Sequence, residues 1–187
     1  MQPAWLTHNV SPIAMDIASL HRRFAAIMPP SSFTLSSFHA ACHAMNFFDI
    51  HLGVYDLAET QSLEHFQLLC SYALSYFYLF GENRMECRVF AMFLLHGLHT
   101  TRLVVTADDD VRVPCTPWLI RQIRSLVEVA IENGWADVAS VAVELHKKDV
   151  FRVVVEVEVF PAVHVRHAHL LLNSMIPEPP GKRIDVD

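Results

Sequence analysis

The segment from Arg88 to Thr101, RVFAMFLLHGLHTT, sets the architecture of this chain. Residues Val89 to Leu95 are all apolar, so a helix formed here has apolar side chains on every face. A helix of this kind is buried, and we expect it to be the central and most buried element. Asn83, followed three residues later by Glu86, is a capping-box pattern and predicts where the helix begins.

Start and stop signals on either side of this segment predict further helices. Ser11-Pro12 and Thr116-Pro117 each place a capping hydroxyl before a proline, which is favoured at the first helical position. Thr34 is a third candidate N-cap, and Asn133-Gly134 is a strong helix stop. The expected fold class is therefore mainly α, a helical bundle of about six helices. In addition to the central helix, helices are predicted over residues 12–28, 35–47, 62–80, 117–132 and 135–146.

A small β element of two or three short strands is expected near the C-terminal end. Leu103–Val105 and Val111–Val113 lie on either side of three aspartates and predict a hairpin. Apolar and charged residues alternate from Phe151 to Val159, the pattern of a strand with one apolar face. We expect residues 1–160 to form a single helical domain. Residues 161–187, which contain four prolines, are expected to form a tail that is flexible or bound by a partner.

The composition describes a folded chain with more apolar surface than one core can hide. The chain has 187 residues, 52% of them hydrophobic and 18% charged, against a typical charged share of about 25%. We therefore expect part of its outside to be buried against partners. The longest nearly uncharged apolar run, Phe66–Phe80, has 15 residues and is shorter than the roughly 20 that a membrane-spanning helix needs.

Cysteines and histidines are the residue types of this chain that could bind a metal ion or act as nucleophile and base. The four cysteines, none in a C-x-x-C motif, are expected to be reduced and mostly buried in an intracellular protein. His39 and His43 (i, i+4) and His96 and His99 (i, i+3) have spacings that a zinc site can use. No further ligand motif accompanies them, and surface or interface histidines are the favoured interpretation. We expect no metal and no cofactor.

The motifs of the common enzyme classes are missing from the sequence. There is no G-x-S-x-G nucleophile elbow and no glycine-rich phosphate loop. A Cys–His pair carries little weight in a chain with 4 cysteines and 12 histidines. The sequence therefore predicts a protein that is not an enzyme.

Charge is distributed unevenly along the chain. The net charge is −6 with histidine neutral, and no lysine or arginine lies between Arg23 and Arg84. A nucleic-acid phosphate contact would therefore come from the second half of the chain. The candidates are Arg121, Arg124, Lys147 and Lys148. The alternative is a solvated helix face, with Arg124 paired to Glu128 and the two lysines favoured by the dipole of a helix end.

The central segment resembles the R-V-x-A-φ-φ-L-L-φ-G-L-φ-x-T helix, where φ is apolar, of the subunit 1 family of the small nuclear RNA activating complex. Phe33–Phe47 resembles the opening F-x-x-F segment of that family, and the pair Trp135 and Asp137 follows in the same order. The resemblance spans Phe33–Phe160 and departs from the family at Phe90, His96 and His99. The residues that match the family motif are Arg88, Val89, Ala91, Leu94, Leu95, Gly97, Leu98 and, further along the chain, Trp118.

The resemblance implies a non-catalytic structural subunit of a nuclear transcription factor. That complex recognises the proximal sequence element of small nuclear RNA promoters and recruits the general factors of RNA polymerase II or III. The expected partners are sister subunits, including one with Myb-type repeats, and promoter DNA reached through the complex; no membrane is expected. Two other classes stay open: a helical adaptor of the scaffold or coat type, and an enzyme whose site the motifs do not reveal.

Overall fold

The computed structural model describes residues 11–27, 33–52, 59–79, 84–101, 112–155, 165–166, 168–170 and 172–173. These residues form a mainly α fold, as the sequence predicts, with a small two-stranded sheet near the C-terminal end. The helices are α1 (Pro12–Ile27), α2 (Leu35–His43), α3 (Phe47–Leu52), α4 (Glu59–Leu79), α5 (Met85–Thr101), α6 (Pro117–Glu132) and α7 (Ala136–Lys147). The strands are β1 (Val113–Cys115) and β2 (Phe151–Val153), and residues 165–166, 168–170 and 172–173 are also helical.

Helix α5 is the centre of the bundle, which confirms the expectation from its apolar sequence. Every residue from Cys87 to Leu98 is buried, and α5 packs against each of the other six helices named above. Its Phe90 and Phe93 rings meet Phe38 of α2 at centroid distances of 6.0 and 5.9 Å. Edge-to-face and tilted ring pairs of this kind add stability beyond the apolar area that they bury.

The predicted helix boundaries hold at Thr34, Thr116 and Gly134, whereas the predicted start at residue 62 is wrong because α4 begins at Glu59, and Asn83 lies outside the described residues. Thr34 Oγ1 accepts a hydrogen bond from the Ser37 N–H, and Thr116 Oγ1 accepts one from the Leu119 N–H, each at 3.2 Å. These side chains satisfy backbone donors that have no partner within the helix. Gly134 follows the end of α6 and has a φ of 70°, a backbone conformation that residues with a Cβ rarely adopt.

The prediction of one helix over residues 35–47 is wrong at its C-terminal end. Helix α2 stops at His43, and a separate short helix, α3, begins at Phe47. Asn46 between them has φ at 49°, in the left-handed region that asparagine tolerates better than most residues. This turn redirects the chain so that Phe47 enters the core while Asp49 and Ile50 stay exposed.

Strands β1 and β2 pair with each other in parallel, a pairing that the sequence did not predict. Val113 is in register with Phe151, and its N–H donates to the Val150 carbonyl at 2.6 Å. The other half of the predicted hairpin, residues 103–105, lies outside the described residues. Strand β2 ends at Val153, well before the predicted Val159. Residues 156–159 of that prediction are also outside the described part.

Helical residues near the C-terminal end pack onto the bundle. Val165 and Ala168 are fully buried. Tyr76 Oη of α4 is 2.8 Å from His169 Nε2, and Arg22 Nη1 of α1 donates to the Leu172 carbonyl at 3.2 Å. These contacts tie His169 to α4 and Leu172 to α1. Within the described part of the chain, no helix has both the length and the apolar character needed to cross a membrane.

Candidate functional site

The four basic candidates lie on the α6–α7 hairpin, and all four are exposed. The turn at Asn133 and Gly134 joins the two helices, which pack against each other, so the start of α6 and the end of α7 lie at the same end of the hairpin. Parallel pairing of β1 and β2 fixes this arrangement, because β1 leads into α6 and α7 leads into β2. The structure therefore places Arg121 at the same end as Lys147 and Lys148. Arg124 lies about one turn further along α6.

Lys148 differs from the other three candidates because it is ion-paired. Its Nζ lies 2.9 Å from Glu144 Oε1, and the second carboxylate oxygen, Oε2, lies 2.8 Å from His96 Nε2. His96 is only 7% exposed, so Glu144 links a buried imidazole to a surface cation. Hydrogen bonding from Lys148 first, and then from His96, lowers the pKa of the Glu144 carboxyl. The role of Glu144 was not predicted from the sequence, because its contact with His96 depends on how α5 packs against α7.

Two further arginines flank the same end of the hairpin and were also missed. Arg112 precedes β1, is exposed, and has its Nη1 3.6 Å from Asp149 Oδ2. Arg152 is exposed in the middle of β2, in register with Pro114. Since side chains alternate between the two faces of a strand and Val113 and Cys115 are buried, Arg112 and Arg152 lie on the outer face of the sheet.

The residues of the family motif are packing residues. The seven on α5 are all buried, including Leu94, which has no exposed surface. A Cβ added to Gly97 would overlap the Phe48 ring of α3, so α3 and α5 approach closely here, as the glycine predicts. Trp118 of α6 stacks on the Tyr78 ring of α4 with centroids 4.9 Å apart. Tyr78 Oη is also 3.3 Å from Thr116 Oγ1 at the α6 N-cap.

Distant parts of the family resemblance meet in space. The Phe33 ring meets Trp135 edge-on, with centroids 4.5 Å apart. Asp137 Oδ2 accepts a hydrogen bond from the Leu35 N–H at 2.8 Å, so a carboxylate from α7 satisfies a backbone donor in the first turn of α2. These contacts join the N-terminal half of the bundle to the α6–α7 hairpin.

A Cys–His pair is present in the core, but it is not arranged as an activated nucleophile. Cys87 Sγ lies 3.5 Å from His21 Nε2, beside the Tyr76 and Phe90 rings. Burial raises the pKa of Cys87 to about 12. Burial, reinforced by His169 and Arg84, lowers the pKa of His21 to about 3. The thiol therefore keeps its proton and the imidazole stays neutral, whereas a nucleophilic cysteine needs the thiolate.

The histidine pairs with metal-type spacing are separated from further ligands. His39 and His43 are exposed on α2, His96 contacts Glu144, and His99 lies against the Phe66 ring at 5.0 Å. Among the residues that the structure describes, no group of three or more His, Cys, Asp or Glu side chains is placed to hold a metal ion. All four cysteines are buried and unpaired with one another, as expected.

These features define a helical-bundle domain that is closed by a parallel strand pair and has cations at one end of its C-terminal hairpin. A comparison with protein families assigns it further. The sequence model described as "Small nuclear RNA activating complex (SNAPc), subunit 1" matches residues 13–167, most of the chain. The chain belongs to this family. Its members are transcription factor subunits of a multi-subunit complex and are not typically enzymes. Neither the search of curated proteins nor the search of solved structures gave a significant match.

Proposed function

We propose that this chain is a non-catalytic structural subunit that bridges its sister subunits at the proximal sequence element of small nuclear RNA promoters. Membership of the subunit 1 family over residues 13–167 is the observation that carries this proposal. The motif residues support it, because they build a packed core and are not arranged around a reactive group. The assembly acts in the nucleus, includes a Myb-type sister subunit, and serves the general factors of RNA polymerase II or III.

In this proposal the subunit touches promoter DNA through phosphate contacts alone. Arg121, Arg124, Lys147 and Lys148 are the contact residues. Phosphate contacts fix the position of a protein on the duplex but carry no sequence information, so base readout belongs to other subunits. A chain with a net charge of −6 has no useful DNA affinity by itself, and its cations act only within the assembly.

The test is a fluorescence-anisotropy salt titration of the reconstituted complex. Alanine at all four positions should weaken binding to promoter DNA and to scrambled DNA alike. Each lost phosphate contact should reduce the slope of log K against log salt by about one unit. An unchanged slope with an intact complex would show that these residues form only a solvated helix face.

A pull-down from nuclear extract, read by mass spectrometry, tests the assembly itself. Recovery of sister subunits and polymerase factors is the expected result. Recovery of coat or scaffold components in their place would favour the alternative function, a generic helical adaptor.

A further inference from the structure

We propose that the outer face of the β1–β2 sheet is part of the DNA-facing surface, with Arg112 and Arg152 as two further phosphate contacts. The inference rests on the proposed function, and it names where on the chain the DNA backbone lies. We call this surface the basic end; it comprises Arg112, Arg121, Lys147, Lys148 and Arg152.

The parallel strand pairing brings Arg112 and Arg152 together. Arg112 and Arg152 are 40 positions apart in the sequence, but Arg152 is in register with Pro114, two residues after Arg112. From the usual spacings along and between strands, their Cα atoms are about 8 Å apart on one face. The same pairing places Arg112 beside the turn that follows α7, where its guanidinium meets Asp149 next to Lys148.

Two carboxylates among the described residues of this region face its cations. Asp149 faces Arg112, and Glu144 holds Lys148. All four side chains are at least 42% exposed, so these ion pairs contribute little to stability and a phosphate oxygen can replace the carboxylate at little cost. Lys147 is exposed, and no ion pair with it is found among the described residues. Arg112 and Lys148 can therefore turn from a carboxylate to a phosphate without breaking the fold.

The chemistry of this face fits a duplex backbone better than it fits bases. The neighbours of the two arginines on the outer face include Pro114 and Val154, and the aromatic Phe151 belongs to the opposite face. A base-stacking surface needs aromatic side chains among its cations. Duplex DNA carries one charge per roughly 1.7 Å of its axis, so two arginines whose Cα atoms lie about 8 Å apart can each reach a phosphate without a specific sequence.

The experiment compares three forms of this chain in the reconstituted complex. The R112S/R152S variant should reduce the slope of log K against log salt by about two, equally on promoter and scrambled DNA. R112K/R152K keeps both charges and should keep the wild-type slope. R23S removes an exposed arginine from α1, which is part of neither the sheet nor the α6–α7 hairpin, and is the control that should change nothing.

The outcomes separate this inference from the proposed function. One outcome is that the wild-type complex forms and binds promoter DNA while R112S/R152S leaves the slope unchanged. In that case the outer face of the sheet does not contact the DNA backbone, and the proposed function stands. If R112S/R152S blocks assembly while R112K/R152K restores it, the face binds an acidic protein surface and the inference is overturned. If wild-type chain never joins the sister subunits, the proposed function fails first. Should the double variant melt early, R152S alone must still reduce the slope by about one.

Discussion

At the scale of single residues, two histidines that pack inside the bundle, His21 and His169, are held uncharged. His21 of α1 lies between Tyr76, Phe90 and His169, with ring centroids 4.9 to 5.2 Å away. Tyr76 Oη bonds His169 Nε2, and burial lowers the pKa of His169 to about 4. A neutral imidazole packs like an aromatic ring, so both histidines contribute to the core only while they are unprotonated.

This arrangement predicts that stability falls as the pH decreases below about 6.5, the usual pKa of histidine in an unfolded chain. The folded pKa values are about 3 for His21 and about 4 for His169, so the unfolded chain binds more protons at intermediate pH. Stability therefore rises with pH through this window and is lost as the pH decreases. The melting temperature should be lower at pH 5 than at pH 7.5. His21→Phe keeps a ring and removes the titrating group, so its decrease should be smaller; an equal decrease in both proteins would contradict the assignment to His21.

At the scale of elements, the crossing of α3 and α5 depends on Gly97. The Phe48 ring of α3 occupies the space that a side chain at position 97 would need. Phe48 is only partly buried, so its ring has room to move on one side. Overpacking a core of this kind typically costs about 1–3 kcal/mol.

We predict that Gly97→Ala lowers the free energy of unfolding by about 1–2 kcal/mol, because displacement of Phe48 outweighs the gain of about 0.5–1 kcal/mol from alanine in a helix. Gly97→Leu should be worse, since a longer side chain must displace the Phe48 ring further. Chemical denaturation of each variant measures the change. The double variant Gly97→Ala/Phe48→Leu should recover part of the loss. Denaturation curves of Gly97→Ala and Gly97→Leu that coincide with the wild-type curve would contradict a close approach of α3 and α5 at Gly97.

The distinction between local and non-local signals explains which elements the sequence predicts. Thr34, Thr116 and Gly134 act on their own backbone turns, so the helix ends that they set are visible in a window of a few residues. The break at Asn46 has a weaker signal, because a left-handed asparagine differs little in sequence from one inside a helix. The pairing of Val113 with Phe151 is non-local, since it depends on how the intervening hairpin folds back.

The same distinction applies to the basic end. The distribution of charge along the chain predicts Arg121, Arg124, Lys147 and Lys148 as candidates, because the first two lie on a predicted helix and the two lysines directly follow one. It could not find Arg112 and Arg152, whose proximity follows from the strand register, nor Glu144, whose two contacts come from different helices. The family motif was recognisable because its residues fill a core, and core packing is encoded in residue size and spacing.

At the scale of the whole molecule, the described surface retains exposed apolar side chains. Val155 is 91% exposed and Val153 63% exposed, at and just beyond the end of β2. The sequence predicted a strand with one apolar face, and in the isolated chain Val153 and Val155 of this region are uncovered. Ile131 of α6 and Val143 of α7 are also exposed. A strand end with uncovered valines is prone to pair with another chain.

We therefore predict that the isolated chain self-associates and becomes monodisperse only when co-expressed with its partner subunits. Size-exclusion chromatography with light scattering measures the mass of each form. Lysine on an exposed strand end opposes pairing, so V153K/V155K should shift the lone chain toward monomer. V143K adds a charge at a comparably exposed valine on α7 and serves as the control. Equal improvement by V143K would assign the association to apolar surface in general, since the strand end would then have no special role. A wild-type chain that elutes as a stable monomer at all concentrations would contradict the prediction, because its exposed valines would then need no partner.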